Sequence, residues 1–134
     1  MKHYEGIVTG CWPQDVSEIK VPLRKFRLPN NERRVEVHES GKTTATKFEI
    51  LRSSDSFSWL RIEPITGRTH QIRVHCQYQG HAIVGDRKYA IQQNFKPPKM
   101  FLHAQSVQFA VGLTIEAPVP PYFEEFWHQQ NPEG

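Results

Sequence analysis

Hydrophobic positions along this chain fall mostly at strand spacings, broken by proline and glycine. Tyr4 to Thr9 carries a short apolar run closed by Gly10, which predicts a strand and a turn. The following CWPQDVSEIKVPL is interrupted by Pro13 and Pro22 and predicts an irregular connection. In RRVEVHE, Val35 and Val37 alternate with charged residues, the period of a half-buried strand. Ser40-Gly41-Lys42 predicts a turn into TTATKFEIL, Thr43 to Leu51, so these two segments are expected to form a hairpin. A second turn at SSDS leads into FSWLRIEP, where Phe57, Trp59, Leu60 and Ile62 predict a buried strand. Later come HAIVGD, a polar and proline-rich loop to Lys99, a strand over MFLHAQSVQFA, and a turn at Val111-Gly112 into LTIEAP. The tail PYFEEFWHQQ predicts a short amphipathic helix with Pro121 near its first position. Strands dominate and connect by hairpins, so the expected class is α+β with a mixed, largely antiparallel sheet and few helices.

The stretch PITGRTHQIRVHCQYQGH, Pro64 to His81, fits two periods. Ile72, Val74, Cys76 and Tyr78 alternate with polar residues, as on a strand. Gly67 and Thr69 nevertheless offer a helix opening with an N-cap, and Gly80 offers a stop. On a helix, His70, Arg73 and Gln77 share one face and Ile72 and Cys76 another. Pattern alone leaves both open.

The 134 residues support one core and one domain. Only 37% of them are hydrophobic, but three Trp, eight Phe and four Tyr can close that core. A net charge of +3 is compatible with a nucleic-acid partner without requiring one. Cys11 and Cys76 lie far apart and form no C-x-x-C pair, so reduced thiols, both small and buried, are expected. No apolar run approaches the roughly 18–20 residues of a membrane span, and no signal peptide is visible. The expectation is a soluble, cytoplasmic protein without membrane association.

The histidines invite a metal, but His70, His75 and His81 are poorly spaced for one. Five residues on a helix turn two side chains about 140° apart, and on a strand place them on opposite faces. No metal site is expected. No G-x-S-x-G elbow is present, and TGRT lacks the Lys-Ser/Thr ending of a P-loop, although it could meet an RNA phosphate. Asp86, in VGDRKY, reads as a turn or cap aspartate, or as a catalytic base or nucleophile. Arg73, set among Ile72, Val74 and Cys76, needs an anionic partner because a buried guanidinium without one is costly. Two partners are open: a structural carboxylate of the fold, or a catalytic carboxylate that Arg73 orients.

GRTHQIRVH, followed by GHAIVGDRKY and FLHA, resembles the RluA-type pseudouridine synthases that modify ribosomal RNA. KHYEGIVTG, WPQDVSEIKVPL and GKTTATKFEIL extend the similarity over Lys2 to about Pro120, closest to the RluC-like branch that acts on large-subunit RNA. The resemblance implies isomerisation of uridine, with the C1′–N1 bond broken and the base rejoined through C5, using no metal or organic cofactor. It implies that Tyr4 stacks on a flipped base and assists proton removal, that Leu102 packs beside that base, and that Arg73 pairs with the catalytic aspartate. Arg68, His70 and Lys88 become RNA-contact candidates, against a solvated basic face as the plainer alternative. It also implies that THQIRVH is helical. Ala90 departs from the family, which usually has Gly there. The family's nucleophile sits in an R-L-D segment upstream of K-x-Y, and no such segment precedes Lys2-His3-Tyr4 here. Residues 1–134 are therefore expected to be a single unit, the C-terminal part of a catalytic domain, inactive alone and exposing apolar sheet. Arg73 is expected to await a carboxylate from outside the chain. The alternatives are a non-catalytic RNA-binding module and a catalyst that uses Asp86.

Overall fold

The computed structural model describes residues 2–90, 97, 99–108 and 112–130. Its centre is strand β1 (Lys2–Thr9), paired antiparallel with β6 (Phe57–Pro64) on one side and β7 (Leu102–Gln108) on the other. Three successive β1 residues, Gly6, Ile7 and Val8, are buried, which requires both faces of the strand to be covered. Outward from β6 lie β5 (Thr46–Ser53) and the short β2 (Glu18–Ile19); outward from β7 lies β8 (Thr114–Glu116). The sheet order among the described residues is β2-β5-β6-β1-β7-β8, and each neighbouring pair is antiparallel.

Among the described residues, each face of this sheet carries one helix. Helix α1 (Gln71–Tyr78) lays Ile72 and Cys76 on Val8, Phe48, Leu60 and Ile62. Helix α2 (Pro121–Gln130) lays Phe123, Phe126 and Trp127 on Ile7, Phe57, Trp59 and Phe101 across the other face. Trp59 stands at the centre of that aromatic layer, its ring 5.6 Å from Phe123 and 6.1 Å from Trp127. The expected α+β class, the strand at the chain start, the buried strand at 57–64 and the C-terminal helix beginning at Pro121 all match this architecture.

The expected hairpin between 33–39 and 43–51 does not form. Strand β4 (Arg33–Val37) pairs instead with β3 (Leu23–Arg27), making a separate two-stranded sheet, whereas β5 joins the main sheet beside β6. The physical reason is helix α1, which has apolar groups on two sides. Val74 is covered by Leu23, Val35 and Tyr89, while Ile72 and Cys76 face the main sheet, so β4 and β5 lie on opposite sides of one helix. The proline-broken connection is likewise more ordered than its sequence suggests. Trp12 and Ile19 are buried in the core, and the Ser58 hydroxyl oxygen accepts the Trp12 N–H at 2.8 Å. Pro22 precedes β3 and so interrupts none of its ladder. The expected loop before Lys99, the turn residue Val111, and the end of the expected strand at 109–110 fall outside the described residues.

Gly85 ties three segments together. Ile7 N–H donates to Phe101 O, Phe101 N–H to Val84 O and Val84 N–H to Ile7 O, at 3.0, 2.9 and 2.9 Å. The backbone of Lys99 therefore crosses directly over Gly85, whose φ is +83° and where a Cβ would stand 2.1 Å from the Lys99 carbonyl oxygen. Gly85→Ala combines a left-handed backbone penalty with an overlap that only backbone movement relieves, and is expected to cost about 3 kcal/mol in urea unfolding. Gly67→Ala, with nothing within 4 Å of its Cβ position, is expected to stay within about 0.5 kcal/mol. Equal costs at the two positions would refute the close-approach argument.

Candidate active site

The stretch that fitted two periods is helical, and its ends show why. His70 occupies the N-cap in a left-handed conformation, φ 53°, with no side-chain capping bond, so the cap expected at Thr69 is corrected by one residue. The exit is as expected: Gly80, at φ 87°, donates to Gln77 O at 2.9 Å, and His81 N–H donates to Cys76 O at 2.9 Å. These are the paired bonds of a glycine-terminated Schellman motif.

Arg73 projects from α1 toward Asp86. Its Nε donates to Asp86 Oδ2 at 2.9 Å and its Nη2 to Oδ1 at 2.7 Å, a fork-to-fork pair with a fully buried carboxylate. Asp86 Oδ1 also accepts the backbone N–H groups of Lys88 and Tyr89 at 3.0 and 3.1 Å. The turn-holding reading of Asp86 is thus what the fold displays. Burial alone would raise this carboxyl, but the hydrogen bonds and charge of Arg73, with the two backbone donors, hold it below its ordinary value. Arg73 in turn is raised, chiefly by the bond to Asp86. The expectation that the Arg73 carboxylate lies outside the chain is corrected in one respect: a carboxylate inside it already occupies the Nε–Nη2 edge.

Around this pair sits Tyr89, whose ring lies 5.1 Å beneath the Arg73 guanidinium carbon. Its hydroxyl oxygen accepts Val35 N–H at 3.0 Å and lies 2.8 Å from His70 Nδ1. His70 is lowered from its ordinary value, first by burial and then by the charges of Arg73 and Lys88. A neutral imidazole accepting from Tyr89 fits that direction. Lys88 stands half-buried with Glu32 at 3.4 Å, and its carbonyl accepts Arg34 Nη1 at 2.8 Å. Arg68 is exposed.

Tyr4 and Leu102 come together on the α1 face of the sheet. Tyr4 pairs with Ile62 and Ala104, Leu102 faces Gly6, and both side chains pack against the cluster holding Ile72, Cys76 and Ile83. The three histidines of 70–81 diverge, with partners at Tyr89, at Thr44 and Thr46, and at the Thr9 carbonyl. Of the cysteines, Cys76 is buried and its thiol is pushed up by burial, whereas Cys11 is exposed beside Ser53, against the expectation that both are buried.

Sequence reasoning missed a buried polar chain that anchors α1. Ala45 N–H donates to Thr66 Oγ1 at 3.1 Å, and the Thr66 hydroxyl donates to Gln71 Oε1 at 2.6 Å. Gln71 Nε2 donates to Ala45 O at 2.9 Å and to Thr46 Oγ1 at 2.8 Å. The Thr46 proton then goes to His75 Nδ1 at 2.8 Å, His75 Nε2–H goes to Thr44 Oγ1 at 2.8 Å, and the Thr44 hydroxyl donates to the Val21 carbonyl. Each hydroxyl accepts one bond and gives one, so the direction is set throughout and His75 is the neutral Nε2–H tautomer. The sequence signal was present in TTAT facing T-x-x-x-x-Q-x-x-x-H, but no pattern rule joins those segments.

Burial pushes His75 down to about 4 from an ordinary 6.5. Between those values the unfolded chain binds a proton that the folded chain refuses, so stability is full above 6.5 and falls as pH drops. The loss for this one group is roughly 3 kcal/mol across the window. Urea unfolding of His75→Gln is expected to show a shallower decline than wild type between pH 6.5 and 4; parallel declines would overturn the assignment. Asp86→Asn leaves a half-sequestered guanidinium uncompensated and is expected to cost about 3–5 kcal/mol. With Arg73→Met added, a cost close to the sum of the two single changes, and not well below it, would show that the pair is not coupled.

Comparison with known proteins places this geometry. The family model described as RNA pseudouridylate synthase matches residues 1–78. Ribosomal large subunit pseudouridine synthase C of Haemophilus ducreyi is 41% identical over 121 residues, 86% of this chain and 38% of that protein. The protein of the same name from Escherichia coli is 36% identical over 131 residues, 88% of this chain and 41% of that protein. The chain spans about two fifths of the length of these curated relatives. Human RNA Pseudouridylate Synthase Domain Containing 1 superposes with a TM-score of 0.73 at 26% identity, over 91% of this chain and 55% of that one. Human RNA Pseudouridylate Synthase Domain Containing 4 shares the fold with a TM-score of 0.72 at 22% identity, over 96% and 61%. With a matching sequence model over more than half its length and a matching sheet, the chain belongs to the RNA pseudouridylate synthase family.

Proposed function

We propose that this chain is the C-terminal part of the catalytic domain of an enzyme that isomerises uridine to pseudouridine in large-subunit ribosomal RNA. The observation that carries the reading is its 34–41% identity to relatives named Ribosomal large subunit pseudouridine synthase C. The reaction breaks a C1′–N1 bond, forms C1′–C5, and moves one proton from C5 to N1. It is redox-neutral and requires no cofactor for its balance. Tyr4 supplies a flat face for a base turned out of its stack, with a hydroxyl at its tip for proton transfer, and Leu102 closes the apolar side. Arg73 orients the attacking carboxylate. Arg68, His70 and Lys88 contact the RNA.

The chain is proposed to be inactive alone. Asp86 is fully buried in its bonds to Arg73 and two backbone amides, so it is a poor nucleophile. Incubated with ribosomal RNA carrying labelled uridine, the chain is expected to form no pseudouridine. Turnover by the chain would refute this, and its loss in an Asp86→Ala variant that keeps the wild-type circular dichroism spectrum would make Asp86 the nucleophile. In a protein joining this chain to an upstream R-L-D segment, Arg73→Ala is expected to lower pseudouridine formation by roughly 100-fold or more. Near-normal rates there would remove the role given to Arg73.

A further inference from the structure

One cleft of about 350 Å³ lies outside the Tyr4–Leu102 face, between the β3–β4 sheet and the 67–69 loop. Its lining carries four cations, Arg24, Lys25, Lys42 and Arg68, and no carboxylate. Arg24 is neutralised across the ladder by Glu36, Nε to Oε2 at 2.6 Å. Among the described residues Lys25, Lys42 and Arg68 have no ion-pair partner, whereas the nearby Arg34, Arg73 and Lys88 are each paired with an acid. Three uncompensated positive charges in one concave, exposed site form a local positive field.

Both walls of the cleft are held by the fold. On one wall, Leu23 and Lys42 exchange backbone bonds at 2.9 and 2.7 Å. Gly41 permits that approach, since a Cβ there would fall 2.5 Å from the Leu23 carbonyl carbon. On the other wall, Gln71 Oε1 accepts Arg68 N–H at 3.1 Å and so ties the loop to the buried polar chain. Gly67 leaves open space beside Arg68. The charges are thus presented from braced backbone, which lowers the ordering cost of binding.

We propose that this cleft grips the phosphodiester backbone of RNA, as a positioning site separate from the base-binding face. The inference rests on the reading of the partner as RNA. The lining decides between backbone and base: it contains no aromatic side chain on which a base could stack, only cations, the Ser40 and Thr69 hydroxyls, two glycines and an aliphatic floor. Such a site adds affinity and salt dependence without sequence preference.

The test uses the full chain and a short fluorescein-labelled oligouridylate, with anisotropy titrations over a range of salt. Each phosphate contact on a single strand contributes a slope of about 0.7 in log K against log salt. The triple variant Lys25→Gln/Lys42→Gln/Arg68→Gln is expected to lose about 2 from that slope and at least tenfold in affinity near physiological salt. Among the described residues these exposed side chains have no internal bond, so its urea midpoint should match wild type. The charge-matched triple Lys20→Gln/Lys47→Gln/Arg61→Gln, outside the cleft, is expected to keep the wild-type slope. Equal loss in both triples means diffuse charge only and overturns the site. A polyglutamate peptide that competes as well as the oligonucleotide also overturns it, in favour of an acidic protein partner. Pseudouridine formation is scored separately. If the cleft triple loses slope while no form of the protein joined to an R-L-D segment makes pseudouridine, the cleft stands and the isomerase reading falls. If pseudouridine forms while slopes are unchanged, the reverse holds.

Discussion

The buried side chain of Gln71 is the constraint on which the rest of this structure hangs. It bonds the Ala45 carbonyl and Thr46 of β5, the Thr66 hydroxyl, and the Arg68 backbone N–H. One amide therefore fixes the helix to the sheet and the entry loop to the helix. A buried amide must satisfy its donors and acceptor or lose several kcal/mol, so this position has little freedom. His75, one turn further along α1, repeats the bargain with Thr44 and Thr46. The helix cannot slide along the sheet without breaking both sets of bonds.

With α1 held in this way, its remaining sides take on separate tasks. Ile72 and Cys76 complete the apolar layer under Tyr4 and Leu102. Val74 receives the β3–β4 sheet through Leu23 and Val35. Arg73 faces Asp86, and that pair organises the turn that carries Lys88 and Tyr89. Charge is consequently sorted by burial. Arg73 and Lys88, close to the helix, are matched to acids, where desolvation makes an unmatched charge costly, and the unmatched Lys25, Lys42 and Arg68 are exposed at the cleft.

Much of this was legible in the residues, and the failures are specific. The Gly80 stop was readable because a left-handed C′ position has few alternatives to glycine. The N-cap was misplaced at Thr69 because His70 itself takes a left-handed conformation there, which no propensity favours. The β4–β5 hairpin was wrongly expected because alternating residues announce a strand without naming its partner. Val35 alternates equally well for either sheet, and only the second apolar side of α1 selects β3. Asp86 was read correctly as a turn aspartate, yet its bond to Arg73, thirteen residues away, lies beyond any local rule.

By itself, then, the sequence determined the strand-rich class, the buried strand at 57–64, the C-terminal helix and, through GRTHQIRVH and its companion segments, the family. These are local or motif-borne properties, set by period, turn chemistry and residue identity over a few positions. Only the tertiary structure decided that the same motif is a helix clamped between two sheets, that its buried histidine is neutral, and that Lys25, Lys42 and Arg68 meet in one cleft. Those outcomes depend on contacts between segments far apart in the sequence, whose energies appear only when backbone from both sides has been desolvated together.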